Sequence, residues 1–92
     1  MEYELGKNYL AIRPTYYNKY VVVECKVSKG YDGEIRKYSH AFDTKYKTIK
    51  GAEKSLKRWL HGKLKWKNYI PIGLIGENEF TGELHKSSHR RL

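Results

Sequence analysis

Five apolar residues in the middle of the chain, Ile49, Ala52, Leu56, Trp59 and Leu60, follow one another at spacings of 3, 4, 3 and 1. That is the stripe an α-helix turns toward a core, and it is the clearest helical period in the chain. Thr48 is the expected N-cap, its hydroxyl accepting a first-turn N–H. Gly62 is the expected C′ residue at positive φ. Gly51 lowers helix stability by about 1 kcal/mol relative to Ala, but it falls in the first turn, where the helix survives it. At about 100° per residue, Lys50, Lys54, Lys57 and Arg58 share an arc opposite the apolar stripe. His61 falls within that arc.

The cations extend beyond the helix. Residues 45–67 hold Lys45, Lys47, Lys50, Lys54, Lys57, Arg58, Lys63, Lys65 and Lys67 against one acid, Glu53, so this stretch carries a net +8 of the chain's +9. A solvated helix face ordinarily mixes signs, and this one does not. The expected partner is a polyanion or an acidic protein surface. After Gly62, Lys63-Leu64-Lys65-Trp66-Lys67 alternates with period 2, as a basic extended segment with Leu64 and Trp66 turned inward would.

Ninety-two residues make one small domain. The fold is expected to hold one sheet and one helix over residues 1–84, or to form a homodimer, with 85–92 (HKSSHRRL) a basic, mobile tail. An apolar fraction of 39% is enough for a core even with 32% charged residues. Cys25 is the one cysteine, which rules out an intramolecular disulfide and any multi-cysteine zinc site. It stands among valines, the setting of a buried thiol. No apolar run approaches the ~18 residues of a membrane span, and residues 1–9 lack the apolar core of a signal peptide. The expectation is a cytoplasmic protein of a bacterial cell with no membrane partner. The pI near 9.7 favours nucleic acid, DNA or RNA, as that partner.

Residues 9–13 read as a short strand ended by Pro14, and 15–19 as a turn with Asn18 at positive φ. Residues 20–28 (YVVVECKVS) form the strongest strand, with Val21, Val23, Cys25 and Val27 on a core face and Tyr20, Val22, Glu24 and Lys26 on a more polar one. Asp32-Gly33 marks a hairpin. Its partner strand, 34–42, is imperfect: Ile35 and Ala41 share a parity that Tyr38 and Phe42 break, which suggests a bulge. Arg36, Tyr38 and His40 share one side of it. Residues 43–47 are read as a loop into the helix. Residues 69–75 (YIPIGLI), interrupted by Pro71 and Gly73, fit an edge strand, and 79–84 a short strand. The expected architecture is α+β, a mostly antiparallel sheet with one amphipathic basic helix, in the order β-β-β-α-β-β.

No phosphate loop, nucleophile elbow or dinucleotide fingerprint occurs, so the chain is read as a non-enzyme without cofactor, metal or small-molecule substrate. His85 and His89 have helical spacing but no further ligands. Asp43, His40 and His61 could assemble an acid–base pair, though no spacing demands it. Of nine tyrosines, Tyr16, Tyr17, Tyr20, Tyr31, Tyr38 and Tyr46 lie in or beside the first hairpins. Tyrosine stacks on bases and anchors protein interfaces equally well, and Tyr16, Tyr17 and Tyr31 are the candidate aromatic anchors.

Residues 20–60 resemble the arm-type DNA-binding domains, a three-stranded sheet plus helix, found in tyrosine integrases of phages and conjugative elements. The matching pieces are Phe42-Asp43-Thr44-Lys45, then Ala52-Glu53, Leu56 and Trp59-Leu60. The resemblance implies a sheet laid in the DNA major groove by Arg36, Tyr38 and their neighbours. Extra residues between Thr44-Lys45 and Ala52-Glu53 depart from that pattern. The composition also resembles small phage-encoded anti-defence proteins, including anti-CRISPR inhibitors. The leading expectation is a non-catalytic nucleic-acid-binding protein of phage or mobile-element type. The alternatives are an inhibitor of a host nucleic-acid-processing complex and a small ribonuclease.

Overall fold

The computed structural model describes residues 3–62, 68–80 and, for the backbone, 82–83. Within these residues five strands and one helix follow in chain order: β1 (Asn8–Thr15), a 3-10 turn (Tyr16–Asn18), β2 (Lys19–Lys29), β3 (Ile35–Tyr46), α1 (Ile49–His61), β4 (Ile70–Leu74) and β5 (Gly82–Glu83). Across the sheet the order is β4-β1-β2-β3-β5. The α+β class stands, but the sheet is mixed. β1–β2 and β2–β3 are antiparallel, while β4 on β1 and β5 on β3 are parallel. The physical reason is the crossover. Two tight turns make β1, β2 and β3 a meander, whereas the chain leaving β3 crosses the sheet through α1 and joins β1 from its other side.

That crossover decides which face the helix covers. Leu10, Ile12 and Val22 pack under Ala52 and Leu56, with Tyr20, Phe42, Tyr46, Trp59, Leu60 and Tyr69 around them. The face of β2 read as polar is therefore the one that receives α1. The valine face, with Val21, Val23, Cys25 and Val27, forms a second cluster with Tyr9, Ala11, Ile75 and Phe80. Irregular chain covers it. Tyr3 packs on the Tyr9 and Phe80 rings at 5.3 and 4.8 Å between centroids. The Tyr3 hydroxyl donates to the Glu79 carboxylate, and Lys37 lays its ammonium 5.4 Å from the Tyr3 centroid. Full burial of a side chain such as Phe80, 1% exposed, contributes about 1.5–3 kcal/mol.

Several local expectations hold and several are corrected. Asn18 has positive φ, and so does Tyr17 before it (56° and 59°). Pro14 does not end β1, which continues to Thr15. It pairs with Tyr20 beyond the reach of β4, whose pairing stops at Ile12, so its missing N–H disrupts no central ladder. The hairpin turns through Gly33 at φ 83°. β3 does not give way to a loop at Asp43 but runs on to Tyr46. A register shift sets Ala41 opposite Val23 and Lys45 opposite Val21, so Phe42, Asp43 and Thr44 stand against Val22 alone. The two extra residues leave the parity of β3 unchanged, so Tyr38 and Phe42 break the Ile35–Ala41 parity because they lie on the helix-bearing face; pairing resumes at Lys45. Gly62 caps α1 at φ −115°, not at positive φ. A Cβ there would lie 2.9 Å from the Arg58 carbonyl oxygen, so close approach of backbone accounts for the glycine.

Candidate nucleic-acid interface

The helix that covers one sheet face presents its opposite side to solvent. Thr48 caps it, its Oγ1 accepting from the Gly51 N–H at 3.0 Å. Ala52, Ser55 and Leu56 are buried. Lys50, Lys54, Lys57, Arg58 and His61 are all exposed. Among the described residues, none of these lysines nor Arg58 forms an ion pair. The first turn contains no acid, although acid is what the positive end of a helix dipole favours. Lys47 and Lys50 flank that end instead.

The other expected contacts divide. Lys45 pairs with Val21 and so lies on the opposite sheet face from α1, exposed at the end of β3, while Lys47 lies exposed in the link to α1. Arg36, Tyr38 and His40 pair with Ser28, Lys26 and Glu24, on the helix-bearing face. Arg36 and Tyr38 lie toward its far end, whereas the His40 ring meets Phe42 beside the α1 seat at 6.4 Å between centroids. Arg36 is committed locally. Its guanidinium makes a two-bond pair with Asp32 at 2.7 and 3.1 Å, and that pair, aided by the Glu34 N–H, holds the Asp32 carboxyl down at about 2. Glu24 accepts from the Tyr69 hydroxyl at 2.7 Å, and burial followed by this bond pushes the phenol up. Lys63, Lys65 and Lys67, like His85 and His89, lie outside the described residues.

A groove between α1 and β3 went unread in the sequence. Phe42 and Trp59 meet with centroids 4.6 Å apart, and the Tyr46 hydroxyl donates to Ser55 Oγ at 2.7 Å. One cavity of about 340 Å³ is walled by Phe42, Asp43, Thr44, Tyr46, Ser55 and Trp59 above Val22. A second of about 380 Å³ shares Tyr46, Ser55 and Trp59 and adds Arg58 and Gly62. The available signal was Phe42 standing off parity. Its meeting with Trp59 is tertiary and invisible to local pattern.

On the opposite face, a cavity of about 450 Å³ is lined by Arg13, Pro14, Tyr16, Glu77 and Phe80 among others. There Arg13 donates to Ser39 Oγ at 2.8 Å, and charge of both signs lines the wall. Burial pushes the Cys25 thiol up to about 12, against the lowering influence of Arg13. Tyr16, Tyr17 and Tyr31 are 75%, 87% and 111% exposed, so none belongs to the core. Among the described residues, no hydrogen bond or ion pair joins Asp43, His40 and His61, and no group of three or more His, Cys, Asp or Glu gathers. No described helix is long and apolar enough to cross a membrane.

No family model, curated protein or solved structure matches the chain.

Proposed function

We propose that the chain is a non-catalytic nucleic-acid-binding protein, of the phage or mobile-element type its composition resembles, that holds phosphates on the outer face of α1. One observation carries this reading: Lys50, Lys54, Lys57 and Arg58 form an exposed row with no acidic partner among the described residues. Such a row binds phosphate by releasing condensed counterions, and it positions a backbone without reading bases. Four to six contacts give a log–log salt slope of roughly −3 to −5. The test titrates duplex and single-stranded nucleic acid across salt with the wild type and with a Lys54→Glu, Lys57→Glu, Arg58→Glu variant. These positions are exposed, so the fold persists while affinity collapses on every sequence. Tight binding that ignores salt, or full affinity in the reversed variant, sinks the proposal.

The exposed tyrosines favour a second reading, an inhibitor that docks on a nucleic-acid-processing protein. Tyr16 and Tyr17 project from a turn whose Tyr17 holds the left-handed region, which is uncommon for a non-glycine residue. Large exposed aromatics are the anchors of protein interfaces. Under that reading, a pull-down partner survives nuclease treatment and is lost in Tyr16→Ala, Tyr17→Ala but not in the charge-reversed variant.

A further inference from the structure

We infer that the groove between α1 and β3 seats an unpaired base, so that the nucleic acid held by the α1 row is single-stranded. This rests on the phosphate-binding reading above and specifies its ligand. Phe42, Tyr46 and Trp59 are neither sealed in the core nor free of it. They are half-buried, with Phe42 and Trp59 in ring contact at 4.6 Å, and all three line open space. Proteins that take single strands combine a cationic track with aromatic faces on which bases stack. Here the two meet at adjacent residues of one helix. Arg58 belongs to the cation row and to the wall of the groove, and Trp59 forms the ring wall that both cavities share. A base held inside a duplex presents its ring faces to its stacked neighbours, so only an unpaired one can offer a face to this groove.

The rim supplies the polar half of the site. Asp43 and Thr44 sit within the β3 bulge, both exposed, and line the same cavity as Trp59. A carboxylate at the mouth of a phosphate-binding surface opposes the backbone charge unless it meets a donor. The exocyclic amino group of cytosine is such a donor, and thymine lacks one. Asp43 therefore sets a preference for cytosine over thymine or uracil, while Arg58 holds the adjoining phosphate.

The experiment measures anisotropy of labelled oligo-C and oligo-T strands, as DNA and as RNA in parallel, and of a duplex of equal length, all at one salt concentration. Tryptophan emission is recorded alongside. The expected result is at least roughly tenfold tighter binding of a single strand than of the duplex, with tryptophan quenching on the single strand alone. Trp59→Leu abolishes most of that quenching although Trp66 remains, and it weakens the single strand about tenfold while leaving duplex affinity within about twofold. The retained duplex binding is the control for folding. Asp43→Ala, at an exposed site, keeps single-strand binding and erases the preference for C over T. Equal affinity for duplex and single strand, or undiminished quenching in Trp59→Leu, overturns the groove and leaves the phosphate-binding row standing. Salt-insensitive or absent binding to every probe overturns both.

Discussion

The two faces of the sheet are buried by different means, and the contrast explains why one bears the candidate site. On one face a single regular helix supplies both the cover and the surface. Ala52 and Leu56 reach down to Leu10, Ile12 and Val22, and the same 3.6-residue period sends Lys50, Lys54, Lys57 and Arg58 outward. On the other face irregular chain supplies the cover. Phe80, Ile75 and Tyr3 come from turns and irregular chain beside the strands, and the Lys37 ammonium is drawn over the Tyr3 and Phe80 rings at 5.4 and 5.8 Å. A helix can spend one side on stability and offer the other to a partner. An irregular cover spends its side chains on closing the core.

The largest expected effects test whether the irregular cover matters as much as the helical one. Phe80 is 1% exposed and Leu56 is 6% exposed. Phe80→Ala should destabilise by ~3–5 kcal/mol and Leu56→Ala by ~2–5 kcal/mol, a large share of the about 5–15 kcal/mol that a folded domain holds in all. Lys57→Ala, on the outer side of α1, should change stability by less than about 0.5 kcal/mol. Urea melts of the three variants give the ranking. A Phe80→Ala protein as stable as the wild type would make the segment 75–80 a loose strap and remove the symmetry between the faces.

A middle-sized effect sharpens the helical side. Thr48 supplies a cap to the first turn of α1, next to Lys47 and Lys50, where the dipole gives no help to cations. Thr48→Ala should therefore cost ~1 kcal/mol. It should also lower nucleic-acid affinity only in proportion to the unfolded fraction, because Thr48 itself contacts no phosphate in the proposal. A loss of affinity in fully folded protein would extend the site to the helix N-terminus.

The legibility of the two faces differs for the same reason as their construction. α1 was readable because its period is carried by neighbouring residues, and with it came the cap at Thr48 and the exposed row. β2 was readable by alternation, but alternation does not say which side a distant helix will take, and Val22 was misassigned to a polar face. The parallel docking of β4 on β1 depends on where a crossover returns, which Ile70–Leu74 does not encode locally. Phe80 and Ile75 are lone apolar residues among turn residues, with no period to mark them as core. The groove escaped for a related reason: Phe42 and Trp59 belong to different elements, and only the docking of α1 on the sheet brings them together.

The smallest effect asks whether the far end of the helix-bearing face joins the site. Arg36 lies there beyond α1, held by Asp32, both about half exposed at 45% and 52%. The pair holds the Asp32 carboxyl at about 2, below its ordinary 3.8. A depressed carboxyl stabilises the fold above its ordinary value, and that contribution disappears as the pH falls from about 4 through about 2. Asp32→Asn removes this component of the acid transition and little else, because solvent screens an exposed pair. The same substitution releases the Arg36 guanidinium. If Arg36 reaches phosphate once freed, the log–log salt slope steepens by about 1 and affinity rises modestly at low salt. This is the expected outcome, since Arg36 and the α1 row share one face of the sheet. An unchanged slope would confine the contact to α1 and its groove, leaving Asp32 and Arg36 as a brace for the β2–β3 turn.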